Sequence, residues 1–273
     1  MLKDITLGQF FPGTTLIHRL DPRTKLLAVI LYIVALFCAK SVWAYGIVIA
    51  VLVISVIASR VPVKALTKGL KPVYIIVAFT ALMNLFFTAG EPIWDVWLLR
   101  RISLAGIHSA AAMVLRIILL IMGTFLLTYT TSPISLTDAL EHLLSPLKKI
   151  KLPVHELAMM MSIALRFIPT LIEETDKIMM AQKARGADLE TGNLIKKAKA
   201  LIPILIPLFV SAFKRADELA TAMEARCYRG GKNRTRMKVL KYQKRDVITY
   251  IVMFLLIGGM IASRFIPIKV FIF

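Results

Sequence analysis

The chain has 273 residues, 58% of them apolar, with a mean hydropathy of +0.74 and a formal net charge of +19 at pH 7. That is too apolar for an ordinary soluble domain and fits a polytopic membrane protein. The excess of Lys and Arg therefore reads as topology, because cytoplasmic loops collect these residues, and not as a nucleic-acid surface.

Met1 to Phe11 carries Lys3, Asp4 and Gln9 and has no apolar core followed by a small-residue cleavage site. No cleavable signal peptide is expected, and the first span serves as the insertion signal. His18-Arg-Leu-Asp-Pro-Arg-Thr-Lys25 is a polar lead-in, with Asp21-Pro22 as a helix start. It reads either as a positive-inside anchor or as a segment with a specific role. Leu26 to Ala39 is a short first span that needs tilt or interfacial help to cross. Ser41 to Ser59 is the second, separated from the first by Lys40.

Arg60, Lys64, Lys68 and Lys71 form an expected basic loop, and Pro72 to Gly90 is the third span. Glu91 to Arg101 is a mixed-charge loop with Trp94 and Trp97 for the opposite interface. Ile102 to Thr131 holds the fourth span, in which Gly106 and Ala110 offer a small-residue face for close packing. Arg116 lies inside that span. A charge in hydrocarbon is a functional candidate by default, and the alternative is a side chain that reaches a headgroup or a backbone carbonyl.

From Ser132 to Arg245 the chain turns basic and helix-forming, with 21 Lys and Arg against 11 Asp and Glu. Ile134 to Ile150 has the spacing of an amphipathic surface helix. Leu157 to Ile172 and Ala200 to Phe213 are apolar, contain proline, and read as helices half-buried under the bilayer; seven crossings instead of five is the alternative. Asp246 to Arg264 encloses the last span, with Gly258-Gly259 and Ala262-Ser263 as packing positions, before a tail with Lys269 and aromatics. An amino terminus inside places 29 basic residues in the cytosol and 5 outside.

The expectation is thus an all-α polytopic membrane protein with about five transmembrane helices and a cytoplasmic or interfacial coupling-helix module. Residues 1–131 hold four spans, 132–245 the module, and 246–273 the last span and tail. Cys38 and Cys227 make no disulfide framework, and His18, His108, His142 and His155 have no metal-ligand spacing, so no metal or cofactor is expected. No GxxxxGK[ST] nucleotide loop occurs, so the chain reads as a non-enzyme.

Two segments of the module repeat one pattern. Each apolar run leads into a polar helix, Glu173 to Ala184 and Lys214 to Ala225, that ends in an Ala-Arg-small triplet. The triplets are Ala184-Arg185-Gly186 and Ala225-Arg226-Cys227, each Arg nine positions after an Asp (Asp176, Asp217), and the copies lie 41 residues apart. A small residue beside the Arg permits close backbone approach, and a guanidinium can pair bidentately with a carboxylate. The rival reading is plain helix termination, with Gly186 as stop and Arg as dipole complement or cap.

Ala164-Leu-Arg-Phe-Ile-Pro169, Glu173-Glu174, Ala184-Arg-Gly186, Ala225-Arg226 and the lead-in Leu20-Asp-Pro-Arg-Thr-Lys-Leu26 together resemble the transmembrane T component of energy-coupling factor (ECF) transporters. The resemblance runs along essentially the whole chain, in order. It implies a membrane scaffold joining two ABC-type ATPases to a small substrate-capturing S component for a vitamin or a transition-metal ion. It also implies that Ala184, Arg185, Gly186, Ala225 and Arg226 sit at coupling-helix ends in grooves on the ATPases. Cys227 departs from the glycine usual in the motif. A self-sufficient secondary permease, with Asn84 and Arg116 as its few polar candidates, is the alternative.

Overall fold

The computed structural model describes residues 10–39, 41–88, 103–187, 194–230 and 239–265. Lys40, the first nine residues, the Glu91–Arg101 loop with Trp94 and Trp97, the expected span ends at Gly90 and Ile102, and the tail with Lys269 lie outside these. Among the described residues the chain forms nine α-helices: α1 Pro22–Cys38, α2 Val42–Ser59, α3 Val63–Leu70, α4 Tyr74–Phe87, α5 Leu104–Thr130, α6 Pro133–Leu143, α7 Val154–Ala184, α8 Leu194–Ala225 and α9 Lys244–Phe265. They divide into two compact units, one holding 10–139 and 239–265, the other 140–187 and 194–230.

In the first unit, Tyr32, Leu36, Tyr45, Val48, Leu119 and Met260 close a core between α1, α2, α5 and α9. Outward faces stay apolar, with Ile57 70% and Ile75 76% exposed, as surfaces meeting hydrocarbon should be. Among the described residues five helical stretches are long and apolar enough to cross a membrane: Val42–Ser59, Val63–Phe87, Leu104–Thr130, Val154–Ala184 and Lys244–Ser263. The number matches the expectation but its membership differs. α1 has 17 residues, or about 25 Å at 1.5 Å each, and falls short by length. α7, read from sequence as two shorter helices, is one helix of 31 residues and joins the set.

Three other expectations need correcting. The basic loop is helical: Lys64, Lys68 and Lys71 share the exposed side of α3 and the 3-10 turn after it, and Leu66 on the other side is fully buried. Period 3.6, and not charge, decides that segment. The surface helix ends early, because Pro146 opens a separate 3-10 turn, Ser145–Ile150. Gly106 does permit close packing, since a Cβ there would lie 3.0 Å from the Leu85 carbonyl of α4, but nothing lies within 4 Å of one at Gly258 or Gly259.

The lead-in is a fastening. Asp21 caps α1 by accepting from the Arg23 N–H at 2.9 Å, and Pro22 takes the first helical position. The Asp21 N–H donates to Asp246 of α9 at 2.9 Å, and Arg23 stacks 4.4 Å over Tyr242. Lys25, 6% exposed, donates to the Thr130 carbonyl at the end of α5 (2.8 Å) and to the His18 carbonyl (3.1 Å). Burial and the nearby Lys25 lower the His18 pKa, which its hydrogen bond with the Phe11 carbonyl partly offsets. A buried ammonium is no headgroup anchor, so the topological reading of Lys25 gives way to a structural one.

Lys25→Met should strand two carbonyls and remove a cation near Asp246 and Asp21, although Arg23 keeps its ion pair with Asp21 at 3.1 Å. A loss of about 2–4 kcal/mol is expected, seen as a drop of several degrees in the thermal midpoint of detergent-purified protein. An unchanged midpoint would contradict this role.

Candidate functional site

α7 and α8 form an antiparallel pair in the second unit. Gln182 donates to the Pro203 carbonyl at 3.4 Å, and Glu174 of α7 accepts from Ser211 and meets Arg215 at 3.2 Å. As the position on α7 falls from 182 to 174, its partner on α8 rises from 203 to 211. Arg185 lies only three residues beyond Gln182, whereas Arg226 lies 11 residues beyond Arg215, about 16 Å in the other direction. The two Arg-bearing ends therefore point to opposite ends of the pair.

Both ends have the same backbone. At α7 the Gly186 N–H bonds the Lys183 carbonyl (3.0 Å) and the Ala187 N–H bonds the Gln182 carbonyl (3.0 Å). At α8 the Cys227 N–H bonds the Glu224 carbonyl (2.8 Å) and the Tyr228 N–H bonds the Met223 carbonyl (3.0 Å). Each is a Schellman termination, and its left-handed residue is Gly186 (φ +86°) in one and Cys227 (φ +56°) in the other. The 41-residue offset thus relates two equal structures, and the departure at Cys227 leaves the backbone shape unchanged.

This geometry also decides what the arginines do locally. Each helix end is capped by its own backbone, so neither guanidinium is needed as a cap. Among the described residues neither the Arg185 nor the Arg226 guanidinium meets a hydrogen-bond or ion-pair partner, and Ala184, Arg185, Gly186, Ala225, Arg226 and Cys227 are all exposed. The Glu174–Arg215 brace was missed in the sequence although the same 41-residue offset relates its two members. Opposite charges at equivalent positions are what an antiparallel pair of repeats can join.

The polar candidates for a solute site in the first unit are engaged elsewhere. Asn84 donates to the Thr80 carbonyl in its own helix at 2.9 Å. Arg116 donates to the Tyr45 hydroxyl (2.7 and 3.1 Å) and to the Ala39 carbonyl (3.4 Å), near the Phe37 ring at 5.8 Å. It therefore sits level with the turn between α1 and α2 and complements the carboxyl end of α1. The carbonyl alternative for Arg116 is the one the packing supports.

The family model described as "Cobalt transport protein" matches residues 13–237. An energy-coupling factor transporter transmembrane protein of Clostridium kluyveri is 56% identical over 265 residues, covering 97% of this chain and 98% of its own. The chain belongs to this family. Relatives of the same name in Ruminiclostridium cellulolyticum (54% identical, covering 91% of this chain and 92% of its own) and Bacillus subtilis (50%, covering 90% and 93%) agree. It is a multi-pass membrane protein and the transmembrane component of such a transporter.

A left-handed Cys carries strain of about 1 kcal/mol that Gly lacks. Cys227→Gly should leave amide exchange in the last turn of α8 unchanged or slower, and Cys227→Val should speed it. Equal fraying in both variants would show that the termination does not depend on this residue.

Proposed function

We propose that the chain couples two ABC-type ATPases to a membrane-embedded S component, with Arg185 and Arg226 as the docking pins. The observation that carries this reading is the pair of equal, self-capped helix ends. Each presents an exposed guanidinium beside a residue small enough for close approach, at opposite ends of one antiparallel pair. Two equal ends suit two similar partners, and a planar guanidinium suits a carboxylate in a groove.

Residues 132–245 then act as the coupling module, and 1–131 with 246–273 as the membrane part. The distribution of 29 basic residues against 5 supports an amino terminus and coupling helices on the cytoplasmic side of a prokaryotic plasma membrane. ATP hydrolysis belongs to the partners, since this chain carries no nucleotide loop of its own.

Closure of the ATPase pair on ATP moves the two pinned ends. The long helices carry that displacement, as rigid elements in hinge-type transmission. Leu157, Met160 and Met161 on α7, and Ile202, Ile206, Phe209 and Phe213 on α8, expose apolar surface able to grip a hydrophobic partner. Met and Leu surfaces re-pack readily, so the grip can change between states. A changed grip reorients the S component, and its vitamin or transition-metal ion is released inward.

Reversing both pins, Arg185→Glu with Arg226→Glu, should weaken ATPase docking by roughly tenfold or more and lower uptake in parallel. Membrane insertion and recovery of the S component should be unchanged. Full ATPase recovery and normal uptake in the double variant would refute the pin assignment. Solute movement by the purified chain alone would favour a self-sufficient permease.

A further inference from the structure

The first unit contains a groove of about 380 Å³ between α1, α2, α5 and α9, with no counterpart in the coupling scheme. It runs from the level of Lys25 and Thr130 to the level of Tyr32 and Gly123, about 10 Å along α1 and α5 at 1.5 Å per residue. At the far end Tyr32 packs so closely that a Cβ on Gly123 would lie 2.4 Å from its ring.

The walls contain five polar side chains, and every one of them is turned onto a backbone carbonyl. Lys25 donates to His18 and Thr130 (3.1 and 2.8 Å), Tyr32 to Leu119 (3.0 Å), Ser55 to Val51 (2.8 Å), Thr130 to Leu126 (2.7 Å) and Thr249 to Arg245 (3.0 Å). The remaining lining is hydrocarbon, such as Ala28, Leu52 and Val252. A water there would find almost none of the two to four partners that hold a buried water. A polar solute would find none either.

We propose that this groove is a binding site for one acyl chain of a membrane phospholipid. Its setting supplies the occupant, because α2, α5 and α9, three of the four helices that form it, are long and apolar enough to cross a hydrocarbon layer about 30 Å thick, of which one leaflet is about 15 Å. A 10 Å groove takes most of a chain's path through one leaflet. The seated chain fills the space beside the Tyr32–Gly123 contact between α1 and α5. The site is independent of ATPase docking, so the two can fail separately.

The test uses the assembled complex in vesicles of phosphatidylethanolamine and phosphatidylglycerol, with phosphatidylglycerol bearing a diazirine midway along one acyl chain as probe. After irradiation the labelled residues are mapped by peptide mass spectrometry. Label should concentrate several-fold on Leu52, Leu126 and Leu127 over Val53 and Ile57, which lie on the exposed face of α2 at similar depth. It should survive detergent exchange that removes bulk lipid. Ala28→Phe and Ser55→Leu, tested separately, should each abolish the excess, and the wild-type contrast stands even where a variant folds poorly. Even labelling of groove and outer face, loss of groove label together with bulk lipid, or cross-linking of groove residues to a protein subunit would each overturn the proposal.

Discussion

A helix carboxyl end leaves carbonyls that the helix itself cannot satisfy, and in or near a membrane there is little water to satisfy them. This chain meets that constraint in two different ways. At two ends in the first unit a cation from another helix does it, Lys25 at α5 and Arg116 at α1, whereas α2 closes on its own left-handed Arg60 (φ +53°). Those cations join helices to one another. In the second unit the backbone turns left-handed after α7 and α8 and satisfies its own carbonyls.

Self-capping sets the adjoining arginines free. A guanidinium used to cap its own helix would be committed; Arg185 and Arg226 are exposed and uncommitted among the described residues. Because the hairpin is antiparallel, two copies of one local structure face opposite ways along a single element. The Glu174–Arg215 brace holds the pair at its middle, with Ser211 as a second contact to the same carboxylate. One helical pair can therefore address two similar partners at once, and a movement of either partner acts on a braced element and not on a loop.

Much of this was legible in the residues. Apolarity and charge asymmetry gave the membrane class, and the repeated triplets at matched spacing picked out both helix ends. What was hidden follows from geometry. Arg116 looked central because it sits mid-run in its own helix, but α5 has 27 residues and extends well past the turn between α1 and α2, so the packing places it at that turn. Lys25 looked like an anchor because charge near a span usually faces headgroups. Its burial depends on Thr130, more than a hundred residues away. The basic stretch before α4 looked like a loop because lysines dominate it, although their spacing was already helical. Cys227 looked like a departure from the motif, and only a backbone angle shows that it performs the same turn as Gly186.

If the ATPases drive the two helix ends, the separation of those ends changes with the nucleotide state. Spin labels on Met180→Cys and Thr221→Cys, exposed positions five residues before Arg185 and Arg226, in a background with Cys38 and Cys227 replaced, would report their separation in the assembled complex by pulsed electron resonance. The account predicts a distance distribution that shifts when ATP is bound and returns after hydrolysis. A distribution identical in the nucleotide-free, ATP-bound and post-hydrolysis states, in a complex still transporting its substrate, would contradict it.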